Sequence, residues 1–426
     1  MMRPVRSALG VKKKVFFKTF GCRTNLYDSQ VMMSSLKDYE ITENEAEADA
    51  IVINSCTVTN GADTHVRSYI SHIEKNASDA KLFLTGCGAH TKGESLLKEK
   101  RIHGVFGQSE KEKIDVMLSK DKPFYDPGDL NHIDEAVVDD FIGKSRAFIK
   151  IQEGCNFRCS YCIIPFVRGD ARSMDEGRIL EQITRLALNG YGEFILTGTN
   201  VGSYGQDTKT SLALLMKKIS QVRGVRRIRL GSVEPIQISD EFKEILGEPW
   251  LEKHLHIALQ HTSPTMLKLM NRRNVYKQDR ELFELLADKG FAIGTDFITG
   301  HPGESEELWL EGMRNAKELP LTHLHAFTYS KRDGTQSAFM KPEVNGKIAK
   351  TRLHEIEALI HSKNLDFRKA FSGELDVLIE FEKDGLYHGH DQHFNKIVVK
   401  SNEDLIGNWV NIQNYEVRED FNYAKL

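Results

Sequence analysis

The placement of the cysteines constrains this chain more than any other feature. Six occur in 426 residues, and they divide into two sets of three. Cys22, Cys56 and Cys87 each begin a turn that an apolar, β-like run has just entered. The runs are Val15-Phe-Phe-Lys-Thr-Phe-Gly-Cys22, Ala50-Ile-Val-Ile-Asn-Ser-Cys56 and Lys81-Leu-Phe-Leu-Thr-Gly-Cys87. Helix-like stretches such as Asp28 to Leu36 and Ala62 to Ile73 lie between them. Alternating strand and helix signals predict a parallel α/β sheet with right-handed crossovers. Residues just past the carboxyl ends of such strands share one edge, so these three cysteines can meet at one point. The plainer alternative is that each is a small buried hydrophobe.

The second set is compact. Cys155-Asn-Phe-Arg-Cys159-Ser-Tyr-Cys162 follows directly on a strand signal, Ala147 to Gln152. Thiolates are the usual ligands of iron–sulfur clusters, and short spacings let one loop wrap a cubane. Three ligands leave one iron without a protein ligand, and an open position is what a catalytic metal site needs. A structural zinc site is the alternative, with His261 or His301 as its fourth ligand. Disulfides are not expected. Met1 to Lys14 carries positive charge without the apolar core of a secretory signal, so the chain reads as cytoplasmic, where thiols stay reduced. Metal or redox chemistry is then the natural use of cysteine. Nothing in the sequence resembles a membrane span.

Length and pattern suggest about three domains. Apolar residues make up 40% and charged residues 28%, a globular rather than a disordered composition. Residues 120–140, polar and acidic with Pro123, Pro127 and Gly128, read as a linker. Six strand signals follow: Ala147 to Gln152, Glu193 to Leu196, Arg226 to Leu230, His254 to Leu259, Phe291 to Ile298 and His323 to Tyr329. Helical stretches separate them, including Asp175 to Leu188, Leu212 to Gln221, Ser263 to Met270, Gln278 to Asp288 and Ser305 to Glu318. Six βα units predict a partial barrel with its site at the strand carboxyl ends; a doubly wound sheet is the alternative. After a helical stretch from Ile348 to Ala370, short runs at Leu375 to Phe381, Lys396 to Val399 and Trp409 to Ile412, with turns at Asp384-Gly385 and Ser401-Asn402, predict a small β-barrel. The expected division is 12–125, 141–370 and 371–426.

A CxxxCxxC segment after the first strand of a six-unit βα run resembles the radical S-adenosylmethionine superfamily. The resemblance implies a [4Fe–4S] cluster on Cys155, Cys159 and Cys162, with S-adenosylmethionine on the open iron. It places Tyr161 near the adenine and Thr197, Gly198, Thr199 and Asn200 against the cofactor's amino group. Glu234 would meet the ribose hydroxyls, and Gly300 in Gly300-His-Pro-Gly-Glu304 would let backbone approach the ligand. For each the alternative is an ordinary βα turn with a helix cap, which Ser305, Glu306 and Glu307 would make well.

With a three-cysteine α/β domain upstream and a small β domain downstream, the chain resembles the methylthiotransferase branch along nearly its whole length. That branch implies a second [4Fe–4S] cluster on Cys22, Cys56 and Cys87, a C-terminal TRAM-like domain, and a reducing electron donor of flavodoxin or ferredoxin type. Asn54-Ser-Cys56-Thr-Val-Thr59-Asn, Arg146-Ala-Phe-Ile-Lys-Ile-Gln-Glu-Gly154, Arg226-Arg-Ile-Arg-Leu-Gly-Ser-Val-Glu-Pro235 and Phe327-Thr-Tyr-Ser-Lys-Arg-Asp-Gly334 look like the bacterial enzymes acting on N6-threonylcarbamoyladenosine in tRNA. Two departures stand out: Gln260-His261-Thr262-Ser263 replaces an expected Gln-Ser-Gly-Ser, and His301 replaces a phenylalanine. Enzymes for isopentenyladenosine tRNA or for a ribosomal-protein aspartate, and a non-catalytic iron–sulfur or zinc RNA-binding protein, are the other readings. The formal net charge is −3, so RNA must be held by a local basic patch. Residues 371–426 carry five Lys and Arg against eleven Asp and Glu, whereas residues 331–370 carry nine against five. The expected RNA contacts are therefore the helix-rich stretch with Arg223, Arg226, Arg227, Arg229, Arg272 and Arg273, the tail adding aromatic or neutral contacts.

Overall fold

A computed structural model of the chain describes residues 12–76, 79–134, 136–138, 141 and 145–426. Its contacts divide it into two units, Met1–Ala136 and Val137–Leu426. Among the described residues, no helix is long and apolar enough to cross a membrane.

In the first unit, strands β1 (Lys13–Thr19), β2 (Tyr39–Ile41), β3 (Ala50–Ser55), β4 (Lys81–Gly86), β5 (Gly104–Phe106) and β6 (Phe124–Asp126) form one sheet. The order is β2-β1-β3-β4-β5-β6 and every pairing is parallel. The central strand β3 is buried along its whole length. Ile51 and Ile53 pack with Val66, Ile70 and Ile73 of helix Asn60–Asn76, while Ala50 and Val52 join Met32, Phe83 and Phe106 in a second cluster. A strand covered on both faces reads as a continuous apolar run, which is why Ala50-Ile-Val-Ile shows no alternation. The expected linker begins later than its composition implies. Phe124–Asp126 pairs with β5 as an edge strand, where flanking prolines are tolerated because one side of the backbone needs no partner. Asp134 in the same stretch is buried 2.5 Å from Lys111, which also meets Asp28 at 2.9 Å. Residues 135, 139 and 140 of that stretch lie outside the described residues.

The second unit opens with β7 (Ala147–Glu153), β8 (Arg172–Ser173), β9 (Glu193–Gly198), β10 (Arg227–Leu230), β11 (His254–His256), β12 (Ala292–Thr299) and β13 (His323–Thr328). The sheets β8-β7-β9-β10 and β11-β12-β13 are joined by parallel bridges Ile228–Leu251 and Val233–Ile257. Six parallel strands thus lie in space in their chain order. This is a partial barrel, since a doubly wound sheet would reverse order at a switch point. Asp175, Ser211, Ser263 and Ser305 each cap the helix that follows them, so the βα turns end in the residues that satisfy orphan backbone N–H groups. After helix Gly346–Ala370, strands β14 (Leu375–Lys383), β15 (Leu386–His390), β16 (Lys396–Lys400), β17 (Trp409–Ile412), β18 (Glu416–Val417) and β19 (Asn422–Lys425) follow. Ordered β17-β14-β15-β16-β19-β18, they curl as a half-barrel around Val377, Ile379, Ile397, Val399 and Ile412.

This half-barrel packs against the amino ends of the partial-barrel strands, away from the cysteine loop. Arg229 donates to Asp391 O at 2.7 Å, Arg227 to Asp376 O at 2.9 Å, and Lys253 N to Gln392 O at 2.9 Å. Glu193 holds Arg227 at 2.6 Å and Arg229 at 2.7 Å, and Glu252 also binds Arg229. Burial would raise the Glu193 carboxyl, but Arg229, Arg227 and Arg146 bring it down to about 2. Burial pushes Glu252 up to about 7 against the pull of Arg229. Two expected RNA contacts are thereby corrected: Arg227 and Arg229 are 4% and 2% exposed and spent on this network. Arg226 is exposed but pairs with Asp376 at 2.6 Å and covers the Trp409 ring. Arg352 and Arg368 of the basic stretch are likewise buried. Glu193→Ala should leave two buried guanidinium groups undercompensated and cost about 3–5 kcal/mol in urea unfolding. The exposed Glu244→Ala should stay within about 0.5 kcal/mol of the parent.

Candidate metal and cofactor sites

Strands β1, β3 and β4 are neighbours in strict register, with Thr19 opposite Asn54 and Asn54 opposite Thr85. Cys22 lies three residues beyond the first of these positions, and Cys56 and Cys87 two beyond the others. With strands about 4.8 Å apart, one sheet edge gathers all three. Cys22 is exposed at the start of helix Arg23–Ser35, whereas Cys56 and Cys87 are buried. Gly21 has φ +104°, and a Cβ there would come 2.5 Å from Cys56 Cβ and 3.1 Å from its Sγ. The Cys22 turn therefore lies directly on Cys56, and only glycine permits it. Asn25 ties the turn down by donating to Phe20 O at 2.7 Å and Ser55 O at 3.1 Å, while Asn54 donates to Asn25 O at 2.8 Å. The reading of each cysteine as an isolated core hydrophobe does not account for this convergence.

In the second unit the loop Cys155–Cys162 leaves the carboxyl end of β7. Gly154 has φ +73°, and a Cβ would lie 1.9 Å from Asp170 O, so the chain can enter the loop only through glycine. Cys155 Sγ accepts from Phe157 N at 3.4 Å and Asn200 Nδ2 at 3.5 Å, and Cys159 Sγ from Arg272 Nη1 at 3.6 Å. Burial pushes Cys162 up to about 12 and Cys159 upward too, although Arg272 opposes the latter. Buried thiols of this kind give up their protons to a bound cation, which is how metal binding releases protons.

The expected cofactor contacts gather at the same strand ends. Asn200 N donates to Gln152 Oε1 at 2.8 Å and Gly154 N to Thr199 Oγ1 at 3.3 Å. Thr197 is buried behind them, and a Cβ on Gly198 would sit 2.7 Å from Gln152 O. Asn200 Oδ1 is buried with no hydrogen-bond partner among the described residues. An orphaned acceptor beside Cys155 suits a ligand that brings an N–H donor, and six thiols in two triads suit iron–sulfur clusters. Tyr161 stands edge-on to His301 at 6.3 Å. Gly300 has φ +75° and gives its N–H to Glu304 at 2.7 Å; a Cβ would strike Ala349 at 2.4 Å. Its visible requirement is contact with helix Gly346–Ala370.

Glu234 is the surprise. Both its oxygens are taken by Arg272, one at 2.8 Å, and Arg272 also donates to Ala258 O. Burial raises the Glu234 carboxyl, with Arg272 offsetting part of the rise. Arg272, an expected RNA contact, has a side chain only 2% exposed. It is corrected to a link between Cys159 and Glu234. Sequence reasoning missed this role because 113 residues separate Arg272 from Cys159. It also missed the buried set of Lys150, Glu153 and Arg168 under the loop; the one available signal was the two opposite charges, Lys150 and Glu153, within a largely apolar strand. The zinc alternative fares poorly. His301 donates from Nδ1 to Pro302 O at 2.9 Å and meets Ser337 Oγ at 2.7 Å, while His261 accepts from Ser263 N at 2.9 Å and meets Glu304 at 3.2 Å. Both rings are committed to hydrogen bonds.

Comparison with known proteins agrees with this picture. Uncharacterized protein family UPF0004 matches residues 14–107, and the Radical SAM superfamily matches residues 149–315. The chain is 52% identical over 417 residues to a Helicobacter pylori protein named "Putative methylthiotransferase", covering 97% of this chain and 99% of that one. It is 34% identical to the threonylcarbamoyladenosine tRNA methylthiotransferase MtaB of Bacillus subtilis, covering 94% and 93%. It is 32% identical to a tRNA-2-methylthio-N(6)-dimethylallyladenosine synthase of Wolinella succinogenes, covering 93% and 95%. In fold it matches the radical S-adenosylmethionine methyltransferase TsrM of Kitasatospora setae, with a TM-score of 0.58, 16% identity and 75% of each chain covered. Fold and cysteine loop define a radical S-adenosylmethionine enzyme. More narrowly, the chain belongs to the methylthiotransferase family, whose members use [4Fe–4S] clusters and S-adenosylmethionine.

The Glu234–Arg272 pair generates a test. Glu234→Gln should weaken S-adenosylmethionine binding about ten- to a hundred-fold, the loss of one charge-assisted hydrogen bond. Unchanged affinity in equilibrium binding would leave Glu234 as a counter-ion for Arg272 alone.

Proposed function

We propose that the protein inserts a methylthio group at C2 of N6-threonylcarbamoyladenosine next to the anticodon of tRNA. The observation that carries this reading is the polar character of the barrel interior near Glu234. Ser232 donates to Asp296 at 3.1 Å, and Asp296 lies 3.1 Å from His256 and 3.7 Å from His325. A threonylcarbamoyl group offers hydroxyl, amide and carboxylate atoms to such a lining, whereas a dimethylallyl group needs an apolar one, and polar sites reject analogues that leave them unpaired. Phe327, on the same strand face as His325 by period-two alternation, is 47% exposed and suits stacking on a nucleobase. The Bacillus subtilis relative's name supports the same substrate.

In this reading Cys155, Cys159 and Cys162 hold one [4Fe–4S] cluster and Cys22, Cys56 and Cys87 the other. When bound, S-adenosylmethionine and a cluster reduced by a flavodoxin- or ferredoxin-type donor supply the 5′-deoxyadenosyl radical. The chain's own work is positional. Asn200 presents its buried acceptor, Thr197, Gly198 and Thr199 fix Asn200 to the loop, and Tyr161 and Gly300 wall the site. Glu234, oriented by Arg272, presents a carboxylate edge.

Nucleoside analysis of tRNA from a deletion strain should show loss of the methylthio derivative of threonylcarbamoyladenosine. Loss of the isopentenyl derivative instead would reassign the substrate. Replacing Cys22, Cys56 and Cys87 together by alanine should halve the iron from about eight to about four atoms per chain. Such a variant should still cleave S-adenosylmethionine but transfer no methylthio group, whereas the Cys155, Cys159 and Cys162 triple variant should do neither.

A further inference from the structure

We propose that His256, Asp296 and His325 form a binding site for a divalent transition-metal cation of the zinc class, distinct from both cysteine sets. The site is built by register. β12 runs between β11 and β13, with His256 opposite Gly294 and Asp296 opposite His325. Alternation then turns Gly294, Asp296 and the two histidines to one face. His256 Nε2 is 3.1 Å and His325 Nδ1 3.7 Å from the same oxygen, Asp296 Oδ1, and the three ligand atoms lie within 4.8 Å of one another. Bonds of about 2.0–2.1 Å in a tetrahedral shell place ligands about 3.3 Å apart, which these separations bracket.

Three further features fit a cation better than a plain ion pair. His256 Nε2 is buried, yet its approach to Asp296 lacks hydrogen-bond alignment. The second Asp296 oxygen is oriented by Ser232 Oγ at 3.1 Å, the kind of outer support that metal-bound carboxylates have. Gly294 leaves the space the rings need, since a Cβ there would lie 2.7 Å from His256 Nδ1. Two imidazoles and a carboxylate suit zinc, nickel, copper or ferrous iron rather than magnesium or calcium. The His325 side chain is 60% exposed, so the fourth position opens outward, where water or a substrate oxygen would complete the shell. The site uses the same polar lining on which the substrate reading rests, but its test reads zinc content and does not depend on which nucleoside is the substrate.

The test uses the fully iron-loaded holoenzyme, washed with chelator, incubated with zinc sulfate and gel-filtered. Elemental analysis should find about one zinc per chain beyond the iron, and zinc X-ray absorption should show a nitrogen and oxygen shell at about 2.0–2.1 Å. In His325→Ala, an exposed edge position that the fold tolerates, and in Asp296→Asn, zinc affinity should fall at least about tenfold with iron content unchanged. Zinc below a tenth of an equivalent, a sulfur shell at about 2.3 Å, or undiminished zinc in both variants would overturn the proposal.

Discussion

Parallel pairing is the constraint on which the rest of this protein depends. A parallel strand must be followed by a crossover before its neighbour begins, so every strand-to-helix turn of a sheet falls on one edge. The chain exploits this twice. In the first unit it brings Cys22, Cys56 and Cys87 to one edge from three separate turns. In the second it sets the Cys155 loop beside Thr197–Asn200 and Glu234, at the ends of successive strands. The cysteine triads arise differently, one by register between strands and one by local spacing.

Charge is distributed along the barrel with the same economy. At the amino end, Glu193, Arg227, Arg229 and Glu252 are sealed under the half-barrel, where ions are tolerated only because they are paired and hydrogen-bonded. At the carboxyl end the Glu234–Arg272 pair touches the cysteine loop. The first network fixes the C-terminal module to the barrel. The second fixes a carboxylate at the site, and its arginine also offers positive charge to Cys159, where a buried thiolate needs it.

The half-barrel's position also changes how its aromatic residues are understood. Trp409 lies under Arg226 and Arg227, and Phe394 stacks on His254 at 5.2 Å and His390 at 4.6 Å. These rings serve the internal joint, whereas Phe381 of the same tail is 50% exposed. Arg223 and Arg273 remain exposed, the latter over the Phe157 ring in the cysteine loop.

Elements with strong periodicity were legible in the sequence, and so was the α/β class. Five of the six barrel strands and helices such as Glu176–Leu188 sit within a residue or two of their patterns, because an amphipathic stripe or a fully apolar run is a local property; the strand expected over His254 to Leu259 ends at His256. Three-residue strands such as Tyr39–Ile41 and Phe124–Asp126 were not, since so short a segment becomes a strand only through its neighbour. The same division holds for the sites. The sequence alone determined the cysteine sets, because their spacing relative to strand ends is written in one dimension. Only the tertiary structure decided which charges are buried. Arg227, Arg229 and Arg272 look like any surface arginine until Glu193 and Glu234 are found beside them. Ion pairing joins groups far apart in the chain, and no local pattern records it.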